Sequence, residues 1–160
     1  SESDDEEDEV EAVGSDGLVR SAAARGPLRL KLYKLGEFCC EVISAYADGA
    51  THPEPLPKKL NIDQRAKLVH CKEHVQWAAE NATGWHFAAS VPSQAQSYRD
   101  LCNYFVSKQR VGLVEMPTYS LYVVPPDDSL LEALGFKERG LARDGCMVAL
   151  QVPVMEMAEA

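Results

Sequence analysis

Arg65 and Lys67 stand two residues apart, and Tyr104 and Lys108 stand four apart. A strand would put both members of the first pair on one face, and a helix would put both members of the second on one stripe, a turn apart. Neither pair is used up by the apolar pattern around it. A guanidinium offers a planar fork to two oxygens, an ammonium a mobile point charge and a phenol a further directional donor, so the four together would suit a phosphate. The same residues also fit an ordinary solvated surface, with Asp63 pairing to Lys67 and Asp100 to Tyr104. Spacing alone leaves both readings open.

Other chemistries find less support. His70 and His74 are spaced to share a zinc ion from one helical turn, with His86 as a further ligand. No Cys-x-x-Cys or His-Glu-x-x-His accompanies them, and Cys71 would point about 100° away from His70 around a helix. A metal site is therefore not expected. The ten glycines form no phosphate-cradling loop, and no Gly-x-Ser-x-Gly or comparable nucleophile signature occurs. The expectation is a chain that is not an enzyme and needs no cofactor.

The elements that would hold the basic residues follow from periodicity. "LRLKLYK" alternates from Leu28, Gly36 breaks it, and "FCCEVISAY" forms the second strand of a hairpin. The three prolines of "THPEPLPKK" make a loop. Leu60, Ile62, Ala66 and Leu68 fall on even positions and predict a strand to about Leu68, with Lys59, Asp63, Arg65 and Lys67 together on its other face. In one long helix, Arg65 and Lys67 would instead lie about 200° apart and could not share a ligand.

A helix is expected from about His70 to Asn81, burying Cys71, Val75 and Ala78, with Gly84 just past its end. "GWHFAASVP" is a strand closed by Pro92. The following helix, N-capped by Ser93, buries Tyr98, Leu101, Cys102 and Phe105. Strands "VGLVEM" and "YSLYVV", a short helix over "DSLLEAL" and a last strand "CMVALQV" complete the pattern. Strands outnumber helices without regular alternation, which predicts an α+β domain with a largely antiparallel sheet or barrel.

The 160 residues suffice for one domain with a core. Residues 1–16 hold nine acids and no base, and the remaining 16 acids balance 16 lysines and arginines. Residues 1–25 are expected to be an acidic disordered tail or linker, residues 26–155 the folded domain and residues 156–160 a disordered end. A phosphorylated Ser1 or Ser3 in that tail could act as a tethered anion for a basic patch. The neutral domain has no general attraction for nucleic acid. No apolar run is long enough to cross a bilayer, and five cysteines, an odd count with Cys39 and Cys40 adjacent, suggest buried thiols in a reducing compartment.

"DLCNYFVSKQRVGLVEMPTYSLYVVPPDD" resembles the carboxy-terminal half of the SPOC domain, a module of transcriptional regulators. There an aromatic helix is followed by a strand and then by a strand ending in two prolines and an acidic or polar residue. "IDQRAKL" resembles the segment in which a glutamine precedes two basic residues, and "GEFCCEVISAY" and "CMVALQVP" fall where the family has strands. The likeness covers roughly residues 26–154 and is nearest to plant FPA-like members.

The resemblance implies a distorted, largely antiparallel seven-stranded β-barrel flanked by helices. It also implies a basic patch that recognises phosphoserine or acidic peptides, such as the RNA polymerase II carboxy-terminal repeat or corepressor tails. Carried over by motif, the patch residues are Arg65, Lys67, Tyr104 and Lys108, with Lys34 beside the first strand. The implied setting is transcription regulation or RNA 3′-end processing in the nucleus, by a monomer that contacts neither nucleic acid nor membrane. The alternative is a phosphate-independent scaffold. Two departures stand out: the tryptophan common before the first strand is absent from "RGPLRLKL", and Lys67 replaces a frequent second arginine, which removes one bidentate fork.

Overall fold

Strand β1 (Leu28–Lys34) turns through Leu35-Gly36 into β2 (Glu37–Asp48), and the two pair antiparallel with a bulge between Leu32 and Tyr33. Both turn residues have positive φ, 53° and 86°, the type I′ geometry that matches the twist of a two-residue hairpin. The computed structural model describes residues 27–50, 53–135, 140–143 and 145–155. The acidic segment expected over residues 1–25 and the end at 156–160 lie outside the described residues.

The segment expected to be one strand is two. Strand β3 (Lys59–Ile62) pairs parallel with β1, whereas β4 (Gln64–Ala66) pairs antiparallel with β6 (Val111–Glu115). With β5 (Thr83–Ala89), β7 (Tyr119–Val124) and β8 (Met147–Pro153), the sheet runs β3-β1-β2-β5-β8-β7-β6-β4. Its two edges are β3 and β4, and a single residue, Asp63, joins them. The sheet is therefore a nearly closed barrel of eight strands among the described residues, largely antiparallel as expected. The eighth strand, beyond the seven implied by resemblance, arises because the chain changes partners at Asp63.

Three α-helices pack on this sheet. Helix α1 (Leu68–Ala78) starts two residues earlier than expected and ends at Ala79, whose φ of 51° turns the chain into a 3₁₀ turn over Ala79–Asn81. Gly84 does not cap it. That glycine lies within β5 opposite Leu150, and a Cβ there would come within 2.8 Å of Leu141 Cδ2. Helix α2 (Ala95–Lys108) follows a 3₁₀ turn over Pro92–Gln94 that contains Ser93. Gln94, not Ser93, stands at the N-cap, and its side-chain oxygen accepts from the Glu41 N–H at 2.8 Å. Helix α3 (Asp128–Leu134) is capped by Asp127, which accepts from the Leu130 N–H at 3.1 Å, and closes on Gly135 with φ 79°.

Alternation along the strands divides the interior in two. Leu30, Leu32, Leu121, Val123 and Met147 pack with Tyr98, Leu101, Cys102 and Phe105 of α2. Tyr122, Val148 and Leu150 point the other way, against Cys71, Val75 and Ala78 of α1 and Leu131 and Leu134 of α3. Every residue of β7 is buried for this reason, and its sequence "YSLYVV" reads as nearly continuous apolar.

Candidate functional site

The seam at Asp63 is where the basic residues meet. Lys34 ends β1 beside Ile62, the last residue of β3, and Arg65 follows three residues later on β4. Helix α2 packs against β2 and β6 and brings Tyr104 over the same place. The result is a hollow of about 420 Å³ lined by Lys34, Leu35, Ile62, Arg65, Tyr104 and Phe105, together with Asp63 and Gln64. Buried Ile62 and Phe105 form its apolar floor. Gln64 is held aside by a bond to the Glu115 carboxylate at 3.1 Å.

Gly112 lets the floor residues pack close to the sheet. It pairs with Arg65, so the two residues share a face, and a Cβ on Gly112 would lie 2.9 Å from both Ile62 Cγ2 and Phe105 Cζ. Glycine inside the strand "VGLVEM" is the sequence signal of such a close approach.

The charges converge on one ring. Lys34 Nζ lies 4.4 Å from the centroid of Tyr104, Lys108 Nζ 5.9 Å and Arg65 Cζ 6.0 Å. The ring itself is half-buried, packed edge-on against Phe105 at 5.1 Å. Each cation over a phenol face contributes about 0.5–1 kcal/mol at an exposed site. Among the described residues, none of the three cations forms an ion pair, and Asp100, the expected partner of Tyr104, accepts instead from Gln96 at 2.9 Å. Lys108 also sits in the last turn of α2, where the helix dipole favours a cation. Three positive charges around an aromatic face, none of them ion-paired among the described residues, with Lys34 and Arg65 lining a hollow that has an apolar floor and the single carboxylate of Asp63, can bind a compact anion whose carrier has apolar parts.

Lys67 stands apart. It is exposed, extended (φ −69°, ψ 151°) and at the N-cap of α1, and it neither lines the hollow nor joins the cations around Tyr104. Strand β4 ends at Ala66, so the shared strand face is lost within two residues of Arg65. Leu35, Ile62, Phe105 and Gly112 were not singled out in the sequence as part of a site, because each reads as turn or core.

His74 and His86 do structural work. His74 is buried, its Nε2 donating to the Pro153 carbonyl at 2.8 Å and its Nδ1 accepting from the Tyr122 hydroxyl at 2.7 Å. His86 Nε2 donates to the Leu141 carbonyl at 2.6 Å. Both nitrogens of His74 are thus occupied, and no cluster of three or more metal-ligating side chains occurs among the described residues. Burial pushes the thiols of Cys40 and Cys102 up to about 12 and that of Cys71 higher still, which keeps them as neutral packing groups rather than nucleophiles.

A family model of the SPOC domain matches residues 29–152. Among solved structures, the SPOC domain of human PHD-finger protein 3 (PHF3) superposes with a TM-score of 0.58 at 13% identity, over 80% of this chain and 97% of that one. At that identity the likeness speaks for the fold alone. No curated protein matches the chain in sequence.

Proposed function

The chain belongs to the SPOC domain family, and from that premise we propose that its seam hollow binds phosphoserine or acidic peptides of transcription or RNA-processing proteins. SPOC domains are protein-interaction modules rather than enzymes. The observation that carries the finer reading is the set of Lys34, Arg65 and Lys108 around Tyr104 with no ion-pair partner among the described residues. Holding like charges together in a folded protein costs stability unless an anion joins them. A doubly charged phosphate fits three cations better than a carboxylate does, and the Arg65 fork supplies two parallel donors to it.

In this reading Lys67 contributes from outside the hollow, as a point charge for a flanking acid on the peptide. The setting we propose is the nucleus, with the RNA polymerase II carboxy-terminal repeat or a corepressor tail as the type of partner. The chain acts there as a monomer and without contact to nucleic acid, consistent with the balance of charges beyond residue 16.

Fluorescence anisotropy with matched serine and phosphoserine heptad-repeat peptides tests it. A charge-assisted bond contributes about 1.5–3 kcal/mol, so the phosphorylated peptide should bind at least tenfold more tightly, and rising salt should erode the difference. Equal affinity for the two peptides would remove the phosphate and favour a phosphate-independent scaffold.

A further inference from the structure

Leu35 is the residue that folding accounts for least. It takes the first central position of the type I′ turn with φ 53°, where asparagine, aspartate or glycine fit at least cost. A branched apolar residue in the left-handed region is strained, because its Cβ crowds the following carbonyl oxygen. Its side chain is also 69% exposed, the most of any large hydrophobic among the described residues. Neither turn geometry nor core packing selects leucine here. Strain of this kind persists where function requires the side chain.

The turn is nonetheless held firmly. Leu35 N–H donates to the Ile62 carbonyl at 3.2 Å, and Gly36 N–H donates to Asn61 Oδ1 at 2.8 Å. Both bonds tie the hairpin tip to β3 and fix Leu35 at the rim of the hollow, directly after Lys34 in the chain. The lining is consequently split: Lys34, Arg65 and Tyr104 offer charge and hydrogen bonds, while Leu35, Ile62 and Phe105 offer aliphatic and aromatic surface. About 420 Å³ is more than a single phosphate fills.

We propose that Leu35 is a specificity wall of the hollow, packing against an aliphatic side chain two residues from the phosphoserine of the bound peptide. This rests on the phosphoserine reading above. In an extended peptide, side chains two positions apart point the same way and lie about 6.6 Å apart, so a peptide that lowers its phosphate among the cations places the second side chain in the same hollow. The ligand class is then a phosphorylated serine with leucine, isoleucine, valine or methionine at one such position. A phosphoserine embedded in polar residues is a poor ligand. Phe38 provides an internal control: it is also exposed and on the same hairpin, but it pairs with Tyr33 and so faces away from Lys34.

The test uses fluorescein-labelled alanine-based peptides with one central serine, phosphorylated or not, carrying leucine two positions before it, two positions after it, or at neither. Each is titrated by anisotropy against the wild type, Leu35→Asn and Phe38→Ala. The wild type should prefer the phosphorylated peptide with leucine on one side over the all-alanine phosphopeptide by about five- to tenfold, from burial of part of the leucine. Leu35→Asn should lose that preference while its melting temperature rises, since asparagine suits the turn, and Phe38→Ala should keep it. Phosphate discrimination without a leucine preference, or a preference that survives Leu35→Asn, overturns the role of Leu35 and leaves the phosphate reading standing. A leucine preference with no phosphate discrimination overturns the phosphate reading instead, and absence of binding by every peptide overturns both.

Discussion

Tyr122 and Tyr104 each sit among nitrogen-bearing side chains, on opposite sides of the sheet, and the two clusters have opposite fates. Around Tyr122 the hydrogen bonds close on the protein itself: the phenol donates to His74, His74 donates to the Pro153 carbonyl, and the rings of His70 and His74 pack at 6.1 and 5.6 Å. Around Tyr104, three cations stand at 4.4–6.0 Å with no ion-pair partner among the described residues. A closed polar network has spent its bonding capacity on fixing α1 to β7 and β8. The open one keeps its capacity for something that arrives from solution. Composition is similar in the two; what separates them is whether the polar atoms are satisfied.

The comparison breaks most visibly on the closed side. His74→Ala should lower stability by about 3 kcal/mol or more, because it leaves the buried Tyr122 hydroxyl and the partly buried Pro153 carbonyl without partners and opens a cavity. Denaturant unfolding measures it, and the folded fraction should bind phosphopeptide as the wild type does. A loss of affinity without a loss of stability would reverse the roles assigned to the two clusters. Gly112→Ala comes next: a methyl 2.9 Å from Ile62 and Phe105 should cost about 1–3 kcal/mol and narrow the hollow, so both the melting temperature and peptide affinity should fall.

On the open side, Arg65→Ala should weaken phosphopeptide binding about tenfold while changing stability by less than about 0.5 kcal/mol. A comparable loss for the unphosphorylated peptide would mean that Arg65 does not read the phosphate. Lys34→Ala and Lys108→Ala should each weaken binding a few-fold, because a mobile ammonium gives one bond where guanidinium gives two, and Lys34 should have the larger effect through its closer approach to Tyr104. Isothermal titration at two salt concentrations would rank them.

The smallest effect near neutrality is that of pH on the closed side. Burial raises the phenol of Tyr122 from its ordinary value of 10.0 and the thiol of Cys71 from 9.0. A group whose ionisation is suppressed by folding contributes its full stability below the unfolded value and loses it as pH rises above that value. Stability should therefore be flat with respect to these groups up to about pH 9 and decline beyond it, as chemical denaturation across that range would show.

Much of this was legible along the chain. The buried stripe of Tyr98, Leu101, Cys102 and Phe105, the stripe of Cys71, Val75 and Ala78, and the hairpin broken at Gly36 all follow from period and turn chemistry, and the structure places them so. The errors cluster where a local pattern continued past a change of partner. Leu60, Ile62, Ala66 and Leu68 keep one period, yet the backbone leaves β1 for β6 at Asp63, and the period does not register the change. Ser93 has the chemistry of a cap but lies inside a 3₁₀ turn, and Gly84 has the chemistry of a helix stop but is needed for packing against Leu141.

Period along the chain sets which side chains face inward on each element and leaves Arg65, Tyr104 and Lys108 over from those faces. Strand pairing at the seam is what sets Leu35 at the rim beside Lys34, a patch residue the family resemblance already implied, leaves Lys67 outside the hollow and lets Ile62 and Phe105 pack over Gly112. The reason is physical: hydrophobic period reports the orientation of a side chain relative to its own element, whereas the seam of a barrel is fixed by which strands pair across it, and that pairing brings together residues far apart in the chain.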